Sequence, residues 1–215
     1  MAKGTKCKTQ VGNLKYVFIT GEGRNQAMPG EEPRMQYVAS LVVPENGTAH
    51  KAFLEYIDAE WKQYKEQFGV KGLPKTNGIK PEMMDAPDGE IDPATEKVKK
   101  VSTGNVMINF KTNTTWPDGN PQVVKVFDHK GKDITAAIHA ADWAIGEGST
   151  GVIHGTAIAN NIGGTHKVTL YLTAVQIAKL VKYEGSGVDA DVIDGEELDL
   201  DDAVSAIDDS DKPDL

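Results

Sequence analysis

Residues of the types that bind metal ions lie close together once in this chain, between positions 128 and 142. Asp128 and His129 are adjacent, while His139 and Asp142 are three residues apart and could share one face of a helix. Carboxylates of this kind hold the paired metal ions of some nucleases. The cluster has no HExxH or CxxC motif and no repeated ligand spacing, so solvated charges beside a turn are the favoured interpretation.

A glycine pattern, Gly146-x-Gly148-x-x-Gly151, has the spacing of a dinucleotide-binding loop. That function needs a strand before the glycines and a helix after them, whose N-terminus meets the pyrophosphate. Here a helix-like stretch comes first and a β-like stretch follows, so the pattern indicates a turn. We therefore predict a protein that is not an enzyme and that needs neither a cofactor nor a metal ion.

The distribution of charge divides the chain into two parts. Residues 189–215 contain twelve Asp or Glu and one Lys, whereas the preceding residues contain 22 Lys or Arg and 20 Asp or Glu. The overall net charge of -9 therefore arises in the C-terminal segment. An anionic tail on a slightly basic body can occupy a cationic groove or contact a partner protein.

Basic residues beside aromatic residues form the remaining candidate site. A binder of single-stranded nucleic acid needs cations for the phosphates and flat rings for the bases. We predict that phosphates are contacted by Lys15, Arg34, Lys111, Lys125 and Lys167. The predicted stacking residues are Tyr37, Phe110, Trp116 and Tyr171. Trp116 is the strongest of these, because it lies in a polar, turn-rich loop.

The elements that position these residues are mostly strands. Apolar residues at spacings of three and four predict a helix over Ala49–Phe68, with Thr48 as its cap and Gly69 at its end. The predicted strands are Leu14–Thr20, Met35–Val43, Asn105–Thr112, Gln122–Asp128, Gly151–Ile162 and His166–Tyr183, the last two joined by a hairpin at Gly163-Gly164. Two further predictions are a short helix over Ile134–Ile145 and an irregular segment, Gly72–Lys100, with a short helix at Pro93–Lys100.

The order of elements predicts a mainly β protein with an inserted helix, of the α+β class. A strand pair, a long helix and then several strands with Gly-rich turns fit a small antiparallel barrel or sandwich. They do not fit a βαβ series. No apolar run is long enough to span a bilayer, and the single cysteine, Cys7, fits a reducing cytoplasm. We expect no contact with a membrane.

Several short motifs resemble those of a known protein class. They are Lys15–Phe18 (KYVF), Tyr37–Pro44 (YVASLVVP), Asn105–Lys111 (NVMINFK), Gly155–Asn160 (GTAIAN) and Val168–Gln176 (VTLYLTAVQ). In this order, with a long helix after the second, they resemble the phage single-stranded DNA-binding proteins with an OB-fold. The most similar group is the DUF2815 family, and the T7-type phage single-strand binder is a looser likeness.

This resemblance implies a domain organisation and a function. It covers about Leu14–Gly187 and implies an OB-fold barrel at 14–187. We expect residues 1–13 to form an N-terminal arm, and residues 188–215 to form a disordered acidic tail because they have nothing to bury. Such proteins coat single-stranded DNA without sequence preference during phage replication, recombination and repair, in the cytoplasm of the infected bacterial host. Further copies of the chain would be partners, as a homodimer or a cooperative assembly on DNA.

The resemblance also implies that the tail competes with DNA and recruits phage or host replication proteins. The tail residues expected to contact partners are Asp208, Asp209, Asp211, Asp214 and Leu215. The tail differs from the T7-type and bacterial tails in ending with Leu instead of Phe, so the identity of its partners does not transfer.

Two alternatives to DNA coating stay open at the level of sequence. The first is a metal-dependent phage nuclease or resolvase that uses Asp128, His129, His139 and Asp142. The second is an interaction protein with an acidic, partner-recruiting tail and no affinity for DNA. The near-neutral body keeps the second alternative open, because many DNA-binding domains are more basic.

Overall fold

This computed structural model describes residues 4–27, 30–141 and 143–183, which form fourteen strands and two helices. The strands are β1 (Thr5–Lys8), β2 (Gly12–Phe18), β3 (Arg24–Asn25), β4 (Met35–Pro44), β5 (Lys75–Asn77), β6 (Ile79–Asp85), β7 (Ile91–Asp92), β8 (Lys97–Val98), β9 (Lys100–Asn113), β10 (Lys125–Phe127), β11 (Ala144–Ile145), β12 (Thr150–Ile162), β13 (Thr165–Lys179) and β14 (Lys182–Tyr183). The helices are α1 (Thr48–Phe68) and α2 (Thr135–Ala140). Neither described helix combines the length and the apolar character that crossing a membrane requires.

Five of the strands close a barrel. Their order around it is β2–β4–β9–β13–β12, and β12 returns to β2 through the pairing of Gly151 with Gly12. Neighbouring strands are antiparallel except β9 and β13, which are parallel and pair Lys111 with Tyr171. This topology confirms the predicted mainly β fold, an OB-fold-type barrel with an inserted helix. The acidic tail lies outside the described residues.

Helix α1 packs against β1, β4 and β12 and buries its aromatic stripe there. Phe53 of this helix meets Phe110 of β9 edge-on, with ring centroids 5.7 Å apart. Each large apolar side chain buried in this way contributes about 1.5–3 kcal/mol to stability. Gly155 in β12 makes room for the Phe110 ring, because a Cβ at that position would come within 2.6 Å of it. The helix and the barrel interior therefore form one core.

The ends of the long helix follow the sequence prediction in part. Helix α1 covers the predicted Ala49–Phe68 and begins one residue earlier. Gly69 ends it in the left-handed conformation, with φ 65°, as predicted for a helix C-terminus. The prediction that Thr48 caps the helix is wrong, since the cap position is Gly47 and carries no side-chain hydrogen bond.

The segment predicted to be irregular, Gly72–Lys100, instead contributes four strands. β6 pairs with the first half of β9 to form a two-stranded ribbon, and β7 pairs with β8 near its end. The predicted helix at Pro93–Lys100 is therefore wrong. The predicted helix at Ile134–Ile145 is shorter than expected, because only α2 is helical and Ala144–Ile145 forms β11.

The predicted N-terminal arm contributes strand β1 to the sheet, where it pairs with β12. A buried carboxylate holds this strand in place. Glu60 of α1 accepts hydrogen bonds from the backbone N–H of Thr5 (2.9 Å), the Thr5 hydroxyl (2.8 Å) and the backbone N–H of Ala159 (3.0 Å). One side chain thus connects the helix, the first strand and the barrel.

Candidate nucleic-acid interface

A row of side chains crosses the outer face of the barrel, the side of β2, β4, β9 and β13 that points away from the core. Phe18 pairs with Val38, Val38 with Lys111, Lys111 with Tyr171, and Tyr171 with Thr156. Paired residues in neighbouring strands point to the same side of a sheet. In this row Lys111 lies next to Tyr171 on one side. On its other side lies the buried Val38, and Phe18 follows beyond it.

Four basic residues lie near enough to the middle of this row for their charges to act on one another, and we call them the cation cluster. They are Arg34, Lys80, Lys111 and Lys167. Arg34 directly precedes β4, Lys80 lies on β6, and Lys167 lies on β13 four residues before Tyr171, on the same face. Within the part of the chain that the structure describes, none of the four forms an ion pair with a carboxylate. The described structure therefore leaves these positive charges without a neutralising carboxylate.

The environment of Lys111 shows how closely these charges interact. Burial lowers the pKa of Lys111, and the positive charges of Arg34, Lys167 and Lys80 lower it further. A bound phosphate would offset the lowering of this pKa, because it places a negative charge beside a half-buried ammonium group. The cluster is thus suited to bind phosphate.

Trp116 extends the candidate interface beyond the end of β9. It lies in a tight hairpin. The backbone N–H of Trp116 donates a hydrogen bond to the Asn120 carbonyl (2.8 Å), and the Trp116 carbonyl accepts one from the backbone N–H of Gly119 (2.9 Å). The hairpin is attached to the start of β4, where the Thr114 N–H donates to the Met35 carbonyl (3.3 Å), next to Arg34. The Trp116 side chain is 53% exposed, so its ring is available to stack on a base.

Two of the predicted stacking residues lie inside the barrel. Phe110 is fully buried against Phe53, and Tyr37 is buried with its hydroxyl donating to the Gly21 carbonyl (3.0 Å). Neither ring can stack on a base without leaving the core, so the prediction that Tyr37 and Phe110 are stacking residues is wrong. Tyr171, at 37% exposure, and Trp116 are the predicted rings that the structure leaves accessible.

Two of the predicted phosphate contacts are already paired with carboxylates. Lys15 Nζ lies 3.2 Å from Glu82 Oε1 and 3.0 Å from Glu147 Oε1. Lys125 Nζ lies 3.6 Å from Asp133 Oδ2. Lys125 lies on β10, the strand at one end of the sheet. The structure does not bring either lysine into the cation cluster, whereas Arg34, Lys111 and Lys167 belong to it.

Sequence reasoning missed three residues of this face: Phe18, Arg24 and Lys80. The Arg24 guanidinium lies over the exposed Phe18 ring, 5.0 Å from its centroid. A break in register between Lys15 and Phe18, with Tyr16 at φ 52°, turns Phe18 outward. Simple alternation from the buried Leu14 would have placed Phe18 inside. Lys80 was missed because its strand was predicted to be irregular.

Of the four possible metal ligands, Asp128, His129 and His139 lie within the described residues. Asp128 is buried, and its carboxylate accepts a hydrogen bond from the Lys132 N–H (2.8 Å), which closes a turn. Among the described residues no group of three or more His, Cys, Asp or Glu could hold a metal ion. Asp142 lies outside them. The Gly146–Gly151 pattern forms a turn between β11 and β12, as predicted, with Gly148 at φ 93°.

Comparison with known proteins identifies the fold. The chain is similar to the single-stranded DNA-binding protein of bacteriophage Enc34, solved in complex with single-stranded DNA, with a TM-score of 0.54, 17% identity, and coverage of 84% of this chain and 90% of that chain. It is also similar to gp2.5, a single-stranded DNA-binding protein encoded by bacteriophage T7, with a TM-score of 0.53, 17% identity, and coverage of 91% and 97%. No family model and no curated protein matches the chain, so membership of the DUF2815 family stays a prediction.

Proposed function

We propose that this protein binds single-stranded DNA through the outer face of its barrel, with little dependence on sequence. The observation that supports this most directly is the cation cluster, which has no carboxylate partner among the described residues and lies beside the exposed Tyr171 ring. Cations that follow a phosphate backbone beside flat aromatic surfaces are the recognition elements of sequence-tolerant single-strand binders.

The roles of individual residues follow from their positions. Arg34, Lys80, Lys111 and Lys167 contact phosphates, and Tyr171 and Trp116 stack on bases. Phe18 with Arg24 offers a third stacking surface at the far end of the row. The shared fold of the Enc34 protein, which was solved in complex with single-stranded DNA, is consistent with this assignment.

The biological setting and the tail belong to the same proposal. The protein acts in phage DNA replication, recombination and repair, in the cytoplasm of an infected bacterium. Its acidic tail, from residue 188, competes with DNA for the cation cluster. The tail also recruits replication proteins through Asp208, Asp209, Asp211, Asp214 and Leu215. The charge of residues 189–215, twelve acids against one lysine, supports competition with a polyanion.

The experiment that tests this proposal is a tryptophan-fluorescence titration with oligo(dT), using the full chain and a 1–188 truncation at two salt concentrations. We expect quenching that weakens as salt rises, because bound phosphates release counterions. The truncation should bind more tightly than the full chain, most clearly at low salt, where the tail competes best.

A gel lane with magnesium and manganese tests the alternative activities in the same samples. Intact DNA together with salt-sensitive quenching supports a binding protein. Cleaved DNA would instead support the nuclease alternative, and the absence of binding by both proteins would favour an interaction protein without affinity for DNA. Equal affinities of the full chain and the truncation would contradict competition by the tail but would leave the proposal of DNA binding intact.

A further inference from the structure

Three neighbouring strands form a part of the sheet that contains no acidic residue. β12 pairs with β1 on one side and with β13 on the other. Residues 5–8, 150–162 and 165–179, which make up these strands, contain four lysines and no Asp or Glu. The whole chain has the opposite balance, with 32 Asp or Glu against 23 Lys or Arg. These three strands therefore carry a positive charge that their own side chains do not offset.

The two lysines of β1 point away from the core. Lys6 and Lys8 are exposed, whereas Cys7 between them and Thr9 after them are buried. This is the alternation expected when successive side chains of a strand point to opposite sides. Within the described part of the chain, neither lysine forms an ion pair with a carboxylate. Both ammonium groups are thus directed to solvent.

Contacts at both ends hold β1 in position. At its start, Glu60 of α1 accepts hydrogen bonds from the backbone N–H and the hydroxyl of Thr5. Just beyond its end, the Thr9 N–H donates to the Ile153 carbonyl (3.0 Å), and the Ile153 N–H donates to Thr9 Oγ1 (2.9 Å). The lysines of β1 therefore extend from a fixed backbone.

The strand pairing places Lys6 in line with the row that crosses the outer face. Lys6 pairs with Thr156, and Thr156 pairs with Tyr171, which lies next to Lys111. Since paired residues point to the same side of a sheet, the row continues from Lys111 through Tyr171 to Lys6. The exposed Tyr171 ring thus has one lysine directly on one side and a second lysine two strands away on the other.

We propose that Lys6 and Lys8 bind phosphates of the same DNA strand that occupies the cation cluster, so that β1 forms a second half of the interface. This inference rests on the proposed function and extends it to the segment predicted to be an N-terminal arm. Phosphate contacts on both sides of Tyr171 would hold the stacked base between two fixed points.

The length of the row is within reach of one DNA strand. Neighbouring strands lie about 4.8 Å apart, so the five steps from Phe18 on β2 to Lys6 on β1 cover about 24 Å. At about 3.4 Å per nucleotide, the spacing within one strand of a duplex, about seven nucleotides cover that length. Single-strand binders occupy about 4–16 nucleotides per OB-fold. One DNA strand can therefore contact the cation cluster and β1 at the same time.

The lysines of β1 also have a purely structural explanation, because β1 is the last strand at one end of the sheet. Charges on an edge strand prevent it from pairing with another chain. That role needs no DNA, and it predicts that both lysines stay equally accessible when DNA binds. Measurements on the DNA complex therefore distinguish the two roles.

The first test uses the double variant Lys6→Gln/Lys8→Gln in the full chain. Lys51→Gln/Lys62→Gln, at exposed positions of α1, removes the same charge and is the matched control. Binding to oligo(dT) longer than the site size is measured over a series of salt concentrations. We expect the slope of log affinity against log salt to fall by about 1.4 in the first variant, since each lost contact contributes about 0.7. An unchanged slope, or an equal fall in the control, would overturn the proposal.

Acetylation of lysines in the wild-type protein, with and without bound oligo(dT), gives a readout that does not depend on a variant. Mass spectrometry measures the reactivity of each lysine. We expect DNA to protect Lys6 and Lys8 together with Lys111, and to leave Lys51 as reactive as before. Protection of Lys111 without protection of Lys6 and Lys8 would overturn this inference and leave the proposed function intact. A wild type that does not bind oligo(dT) would overturn both.

Discussion

Lys15 is joined to Glu82 by an ion pair, with Nζ 3.2 Å from Oε1, and its other side contacts Glu147 at 3.0 Å. The two carboxylates differ in their surroundings. Glu82 is mostly buried and has two further hydrogen bonds, whereas the Glu147 side chain is 76% exposed. Glu147 therefore occupies the side of Lys15 that faces solvent.

We predict that Glu147→Gln strengthens the binding of single-stranded DNA. Removal of the exposed carboxylate leaves Lys15 with Glu82 and opens its outer side to a phosphate. Since exposed ion pairs contribute at most about 1 kcal/mol, the gain should be about two- to fivefold. It is measured by titration with oligo(dT) at low salt. Glu55→Gln, on the exposed side of α1, removes the same charge elsewhere, and an equal gain there would mean that only net charge matters.

Tyr171→Ala should weaken DNA binding by about 1–3 kcal/mol, the contribution of one stacked base, without unfolding the barrel. The ring is exposed on the outer face beside Lys111, so its removal leaves the core intact. Tyr171→Phe should retain affinity, because stacking needs the ring and not the hydroxyl. Tyr183→Ala removes a comparably exposed ring from β14. If Tyr183→Ala weakened binding as much as Tyr171→Ala, the outer face would not be the stacking site.

The lowered pKa of Lys111 predicts a pH dependence of binding. A bound phosphate favours the protonated amine and raises the pKa towards or above the ordinary lysine value of about 10.4. At a pH near or above the pKa of Lys111 in the free protein, binding is therefore accompanied by the uptake of a proton. The affinity for DNA should fall as the pH rises through that lowered pKa. Lys111→Arg should flatten this part of the profile, because arginine stays protonated. Identical alkaline profiles for the wild type and Lys111→Arg would show that Lys111 does not contact phosphate.

The salt dependence tests the same residue by a different measurement. Lys111→Gln should lower the slope of log affinity against log salt by about 0.7, the value for one phosphate contact on a single strand. Lys51→Gln, at an exposed position of α1, is the matched control and should leave the slope unchanged. A slope that stays the same in Lys111→Gln would remove Lys111 from the phosphate contacts.

The sequence predicted a mainly β fold and the long helix because their signals are local, whereas the choice of an OB-fold barrel over a sandwich came from the resemblance. Helical spacing in α1 and glycine pairs at turns do not depend on distant contacts. The faces of the strands were harder to predict. Phe110 and Lys111 are adjacent in one strand and must point to opposite sides, so Lys111 on the outer face requires Phe110 inside. Tyr37 lies in a strand that is buried on both sides, where alternation gives no information.

Other errors arose where the structure departs from regular patterns. The bulge at Tyr16 turns the Phe18 side chain to the outer face, and no residue in the segment LKYVFIT predicts this bulge. The ribbon was predicted to be irregular because its strands contain Pro81 and many charges and bury few side chains. Its stability comes from pairing with β9, a partner distant in sequence. The cation cluster likewise combines residues from four separate segments, so only the fold brings them together.

Glu60→Gln should destabilise the protein without changing the DNA-contacting face. The carboxylate accepts three hydrogen bonds from Thr5 and Ala159, and an amide supplies only one acceptor oxygen, so at least one buried donor loses its partner. Hydrogen bonds to charged groups contribute about 1.5–3 kcal/mol, so the free energy of unfolding should fall by about this amount. Chemical denaturation measures it. Thr5→Val, which removes only the hydroxyl donor, should have a smaller effect. If Glu60→Gln were as stable as the wild type, the attachment of β1 to the barrel would rest on strand pairing alone.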